Sequence, residues 1–142
     1  MDEAAVVRTY EVQASDFSNA GRVSTSIKDT LKDLGLAAPL VRRVAIAAYE
    51  AEMNIVMYAQ RGSMRLSVTP ASIVLDVRDE GPGIPDIALA MQEGYSTATP
   101  QMHEMGFGAG MGLPNIKRNS DELTITSEVG CGTHLSVRVN VS

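Results

Sequence analysis

The stretch Tyr49-Glu50-Ala51-Glu52-Met53-Asn54, within the run 45–59, decides how this chain is read. The run reads as a helix. Glu50 and Asn54 are four residues apart, which puts both side chains on one face, one turn from each other. Ala47 is expected on that face as well, with Val44, Ala48, Ala51, Ile55 and Tyr58 on the opposite, packing face. A carboxylate and a carboxamide one turn apart on so apolar a helix suit the holding of a hard cation and the activation of a hydroxyl. A solvated helix face is the plainer alternative for an isolated E-x-x-x-N pair, and the choice rests on the rest of the chain. Glu52, beside the pair, is expected to face solvent.

The 142 residues suffice for one domain, 1–142, with its own core. Apolar residues make up 44% and aromatics 4%, so that core is expected to be aliphatic. No apolar run is long enough to span a bilayer, and the start shows no basic segment followed by an apolar block. A soluble, cytoplasmic protein without membrane contact is therefore expected. The net charge of −5, with no cluster of Lys and Arg, argues against a nucleic-acid groove, though not against phosphate held by backbone amides. Cys131 is the only cysteine, which excludes an internal disulfide; between Gly130 and Gly132 it reads as a turn residue rather than a nucleophile. With only His103 and His134 besides, no structural zinc site is expected.

Residues 5–12 alternate and are β-rich, a first strand. Ser15 or Asp16 is placed to cap the next helix, whose stripe is Ala20, Val23, Ile27, Leu31 and Leu34, with Gly35 as its stop. Pro39 opens the second helix, which runs to about Ala59 and carries Glu50 and Asn54. Arg61-Gly62-Ser63 reads as a turn, and 64–69 and 72–78 as a hairpin. Asp79-Glu80-Gly81-Pro82-Gly83-Ile84-Pro85 halts regular structure and lets the backbone come close to something flat. Asp86 caps a short helix, 87–92. The span 93–110 has no periodicity and is long for a connection, as lids are. A helix from Leu113-Pro114 to about Asn119 follows, then strands 123–128 and 134–141 joined through Gly130-Cys131-Gly132. The order β-α-α-β-β, lid, helix, β-β predicts an α+β two-layer sandwich, a mostly antiparallel mixed sheet with helices on one face.

The run Gly106-Phe107-Gly108-Ala109-Gly110-Met111-Gly112 suggests a nucleotide, and its type can be narrowed. It is not a P-loop, since no Gly-Lys-Ser/Thr follows, and its two-residue spacing never yields G-x-G-x-x-G. His-Arg-Asp and Asp-Phe-Gly are absent, so it is not a protein-kinase glycine loop. A flexible loop opening a helix at Gly112-Leu113-Pro114 remains, with amides fit for phosphate; a hinge without ligand stays open as well.

Three features now stand in order: Glu50 with Asn54, Asp79-x-Gly81-x-Gly83, and the loop 108–112. In this order and spacing the chain, from Val41 to Val139, resembles the Bergerat-fold (GHKL) ATPases, the superfamily of gyrase, Hsp90-type chaperones, histidine kinases and mismatch-repair ATPases. Within it, the likeness is to the small anti-sigma-factor serine kinases of RsbW and RsbT type. Glu50-x-x-x-Asn54-Ile55-Val56-x-Tyr58-Ala59, Arg78-Asp79-Glu80-Gly81-Pro82-Gly83-Ile84, Gly94-Tyr95-Ser96-Thr97, Gly110-Met111-Gly112-Leu113-Pro114 and Gly130-x-Gly132-Thr133 carry it. The Gly-Tyr-Ser-Thr element points to kinases that phosphorylate STAS-domain scaffolds.

The resemblance implies ATP and Mg2+. Asn54 would ligate the Mg2+, Asp79 would accept the adenine amino group, and Gly81, Gly83 and Ile84 would line adenine and ribose, with Thr133 completing that site. Gly108, Gly110, Met111, Gly112 and Leu113 would cradle the phosphates, 93–105 would close as a lid, and Glu50 would be the general base. Histidine kinases usually carry Asn where Glu50 stands; a Ser or Thr hydroxyl needs a base where an imidazole does not. Residues 1–44 contain no histidine, so no phosphoacceptor helix is expected in cis. The segment 98–105 departs from the glycine-rich lid of the stressosome kinases, which bears on the acceptor more than on the ATP site. The expectation is a bacterial protein-serine/threonine kinase whose substrate is a STAS-domain or anti-anti-sigma-like regulator, with homodimerisation left open. The rival is an ATP-gated switch that sequesters a sigma factor or other regulator with little turnover.

Overall fold

The computed structural model describes residues 6–14, 17–92 and 112–141. Among them are β1 (Val6–Gln13), a 3-10 turn (Phe17–Asn19), α1 (Arg22–Asp33), α2 (Ala38–Tyr58), β2 (Arg61–Val68), β3 (Ser72–Glu80), α3 (Ile87–Ala90), α4 (Gly112–Arg118), β4 (Glu122–Glu128) and β5 (Gly132–Asn140). The strands form one sheet in the order β1-β2-β3-β5-β4, and every pairing is antiparallel.

Period-two alternation produces the two layers. Met64, Leu66 and Val68 of β2, Ile73, Leu75 and Val77 of β3, and Leu135, Val137 and Val139 of β5 are all buried. Register aligns them in rows: Met64 faces Val77, and Val77 faces Leu135. α2 covers these rows and is itself flanked by α1 and α4. The expected α+β sandwich is the observed architecture, but its sheet, expected to be mixed, is antiparallel throughout the described strands because each neighbouring pair runs in opposite directions. No helix among the described residues is long and apolar enough to cross a membrane.

Local bounds shift where tertiary contacts act. β3 continues to Glu80 and β5 begins at Gly132 because these two ends pair, Asp79 opposite Thr133. Gly62, expected in a turn, lies inside β2. A Cβ there would come within 2.7 Å of Ile55 Cδ1 and 2.8 Å of the Arg78 carbonyl oxygen, so the missing side chain makes room for α2 on the sheet. Asp86 caps α3 as expected, its Oδ1 accepting the Leu89 amide at 3.0 Å. α1 ends at the expected place: the Gly35 amide donates to Lys32 O at 2.9 Å and the Leu36 amide to Leu31 O at 3.3 Å, the paired bonds of a Schellman motif.

The faces of α2 differ from the sequence reading. Ala47, expected beside Glu50 and Asn54, is fully buried along with Ala48, Ala51 and Ile55, and Met53 and Val56 are buried too. With the sheet beneath and helices beside it, this apolar helix is enclosed nearly all round.

Glu52 is the clearest correction. It is only 2% exposed rather than solvated. Its Oε2 accepts the amides of Gly21 (3.1 Å) and Val23 (3.2 Å), and Oε1 that of Ser24 (2.9 Å). These are orphan donors of the first turn of α1, whose N-cap, Gly21, has no side chain to offer them. The carboxylate also meets the positive end of the helix dipole. Ser15 and Asp16, expected to cap this helix, lie outside the described residues; α1 itself starts later, at Arg22. The buried stripe of α1 is close to the expected one, with Val23 packed against the core and Leu34 falling beyond the helix as its C-cap. Ile27 and Leu31 are buried as expected, but Ser24 joins them, while Leu34 is 42% exposed.

Glu52→Ala would strand those donors in the interior, and it is expected to lower the unfolding free energy by about 2–4 kcal/mol. Glu52→Gln, which keeps one acceptor oxygen, should lose less. Urea denaturation of the three proteins checks this; equal midpoints would mean that α1 needs no cap from α2.

Candidate functional site

Two groups of side chains meet at the C-terminal half of α2. The first lies along its seam with α4. Glu50 and Asn54 are both half-buried there. Asn115 Nδ2 donates to Glu50 Oε2 at 2.9 Å. A Cβ on Gly112 would stand 3.3 Å from Asn54 Oδ1, so the start of α4 lies directly against that carboxamide. Further along, Arg43 Nη2 donates to Asp121 Oδ1 at 3.0 Å, and the Asn140 amide to Asp121 Oδ2 at 2.7 Å. The Arg43 guanidinium and that amide hold the Asp121 carboxyl below its ordinary range. The contacts run in opposite directions along α2 and the segment that begins with α4: 54 with 112, 50 with 115, and, beyond the end of α4, 43 with 121. Leu113 is buried in the core, which anchors the first turn of α4.

The second group ends the apolar rows of the sheet. Along β3 the inward positions are Ile73, Leu75, Val77 and then Asp79; along β5 they are Val139, Val137, Leu135 and then Thr133; along β4 they are Leu123, Ile125 and then Ser127. Register sets Asp79 opposite Thr133 and Thr133 opposite Ser127, one polar line across three strands. The Thr133 amide donates to Asp79 Oδ1 at 3.1 Å, and the Thr133 and Ser127 hydroxyls are 3.0 Å apart. Ser127, which sequence reading missed, also accepts the Ile84 amide at 2.7 Å and reaches Gly132 O at 3.1 Å. Its signal was the same period-two row that places Asp79. Ser127 thereby ties the turn 81–84 to the β4–β5 hairpin, as does the Gly130 amide donating to Pro82 O at 2.9 Å.

The chain itself demands two of the glycines. At Gly83, with φ of 77°, a Cβ would lie 2.5 Å from the Glu128 carbonyl oxygen. At Gly132, with φ of 148°, it would lie 2.0 Å from the Asp79 carbonyl oxygen. Both are left-handed or crowded positions that only glycine fills without strain. Gly81 sits over α2, a Cβ there being 3.1 Å from Ala59 Cα. Gly62 and Gly81 thus seat the end of α2 on the sheet.

Of the residues expected in a site, Glu50, Asn54, Gly112 and Leu113 fall in the first group, and Asp79, Gly81, Gly83, Ile84 and Thr133 in the second. Gly108, Gly110 and Met111, the span 93–110 with Gly94-Tyr95-Ser96-Thr97, and His103 lie outside the described residues. Asn115 was not expected; as one polar residue of a short helix it carries no local signal.

Comparison with known proteins gives the chain a family. Residues 14–139 match the family described as the histidine kinase-like ATPase domain. The chain is 32% identical over 112 residues to the serine/threonine-protein kinase RsbT of Bacillus subtilis, covering 76% of this chain and 78% of that protein. It is 28% identical over 114 residues to the anti-sigma F factor of Caldanaerobacter subterraneus, covering 80% and 72%. A second anti-sigma F factor, from Geobacillus kaustophilus, is 32% identical over 80 residues, covering 56% and 51%.

Burial raises the Asp79 carboxyl above the ordinary aspartate value of 3.8, and the Thr133 amide pulls it part of the way back. The folded protein therefore holds that proton more tightly than the unfolded chain does. Asp79 subtracts stability as pH rises from 3.8 through the raised value. Asp79→Asn keeps an acceptor for Thr133 and removes the buried charge. Without ligand it is expected to melt higher than the parent protein at neutral pH, with the gap closing toward about pH 4. Thermal melts of both proteins across that range provide the check.

Proposed function

The chain belongs to the histidine kinase-like ATPase domain family, and we propose that within it the protein is an ATP-dependent protein serine/threonine kinase. Its substrate is a Ser or Thr of a regulatory partner, a STAS-domain or anti-anti-sigma-like protein, in a bacterial cytoplasm. One observation carries the reading: Glu50, its Oε2 held by Asn115, stands one turn from Asn54 at the start of α4. The likeness to a serine/threonine-protein kinase supports it.

In this reading Asp79 receives the adenine amino group. Its Oδ1 already takes the Thr133 amide, which leaves Oδ2 for the purine. A guanine, with an oxygen at that position, would face a carboxylate without a donor between them. Gly81, Gly83, Ile84 and Thr133 surround the base. Gly112 and Leu113, at the start of α4 beside Asn54, would offer backbone amides to the phosphates, with Gly108, Gly110 and Met111 preceding them in the chain.

The donor set suits Mg2+. Asn54 offers one amide oxygen, and among the described residues no group of three or more His, Cys, Asp or Glu could hold a metal. Mg2+ takes few protein ligands and keeps water and phosphate oxygens. Bound there, it would supply neutralisation of phosphate charge. For transfer, the hydroxyl oxygen of the partner attacks the γ-phosphorus, and its proton passes to Glu50. The bond from that phosphorus to the bridging oxygen breaks, and ADP leaves with the electron pair.

A second reading has separate support. Two relatives are named anti-sigma F factors. They favour a switch in which ATP governs the grip on a sigma factor or other regulator, with little turnover.

Substitutions separate the two. Under the kinase reading Glu50→Gln binds ATP almost as before while transfer falls by roughly 10²–10⁴-fold. Asn54→Ala loses both nucleotide affinity and transfer. Asp79→Asn weakens ATP binding by about 1–3 kcal/mol and narrows the preference over GTP. The measurements are calorimetry with MgATP and MgGTP, and phosphosite mapping on proteins that co-purify with the chain. Partner control untouched in Glu50→Gln, with no phosphorylated partner, would favour the switch.

A further inference from the structure

Asn115 is fastened on both ends of its side chain and touches the proposed base. Nδ2 donates to Glu50 Oε2 at 2.9 Å, and Arg118 Nη1 donates to Asn115 Oδ1 at 3.0 Å. The Asn119 amide group donates to the Asn115 backbone carbonyl at 2.9 Å, holding the same turn. A guanidinium only donates, so the oxygen of the Asn115 amide faces Arg118 and its NH2 faces Glu50. The orientation of the amide follows from its partners.

We propose that Asn115 is a positioning residue for phosphoryl transfer, an inference that rests on Glu50 acting as the base. A free glutamate swings about three side-chain bonds, and only a few of its rotamers put an oxygen at the hydroxyl to be deprotonated. Asn115 engages Oε2 and leaves Oε1 to take the proton of the attacking hydroxyl; the proton moves from that oxygen to Oε1 as the new O–P bond forms. A neutral amide suits the task. A lysine or arginine in direct contact would stabilise the charged carboxylate further and weaken it as a base.

The placement of Asn115 links two functions. Gly112 and Asn115 are three apart on α4 and face Asn54 and Glu50, four apart on α2. One docking of α4 therefore sets the groups beside both the cation ligand and the base. Displacing the first turn of α4 would release Glu50 and open the surroundings of Asn54 together.

The test combines Asn115→Ala, Glu50→Gln and the double variant, with MgATP as the probe. The readouts are calorimetric affinity and the release of labelled γ-phosphate to water or to a co-purifying acceptor. Asn115→Ala is expected to keep MgATP affinity within about twofold and to lose about tenfold to a hundredfold in turnover. In the Glu50→Gln background it should add less than about a twofold loss, since it acts only through Glu50. A readout apart from turnover is the Asn115 side-chain amide signal in 15N-labelled protein, identified by its loss in Asn115→Ala; it should move in Glu50→Gln. Full turnover in Asn115→Ala, an undiminished loss in the double variant, or an unmoved amide signal overturns the inference while Glu50 keeps its role. Parental turnover in Glu50→Gln instead overturns the base assignment, and this inference with it.

Discussion

Glu52 accepts the backbone amides of Gly21, Val23 and Ser24, so α2 carries in its middle the cap on which α1 begins. A carboxylate with this little exposure is tolerable because three backbone donors are aimed at it. Two residues to either side, Glu50 and Asn54 turn the other way, toward α4. The helix is thus gripped on one flank through a charged cap and on the other through polar contacts, with Val44, Ala48, Ala51 and Ile55 in the core. A site that needs a carboxylate and a carboxamide in fixed relation gains from a support that cannot roll.

The sheet contributes in a different way. Its inward rows are aliphatic until the last position of three neighbouring strands, where they become Asp79, Thr133 and Ser127. No separate binding loop is needed to set these side chains in line; the register that packs the core also aligns them. The surrounding glycines serve the same economy of space. Gly132 lets β5 start against Asp79, Gly83 lets the turn lie on Glu128, and Gly81 lets α2 end over β3.

Much of this was legible in the chain. The pairing of Glu50 with Asn54 follows from helical spacing, and the strands follow from alternation. The order of motifs led to the family. The misreadings share a cause, which is that the deciding partner was far away in sequence. Glu52 looked solvated because its donors belong to α1, and Ala47 looked peripheral although it is fully buried in the folded chain. Gly62 looked like a turn residue because the side chain excluding a Cβ, that of Ile55, belongs to another element. Asn115 is polar in a short helix, and only its three-dimensional neighbour gives it meaning. Ser127 is the exception: the alternation Leu123, Ile125, Ser127 points inward in the same way as Ile73 to Asp79 and could have been followed to its end.

The polar line across β3, β5 and β4 has a consequence for folding. A strand that slips by one residue turns every side chain to the other face. Such a slip of β5 would carry Thr133 away from Asp79, and one of β4 would carry Ser127 away from both. A ligand that engages these groups together stabilises only chains whose sheet is in native register, by mass action. Occupancy of the site would then act as a proofreader of strand alignment.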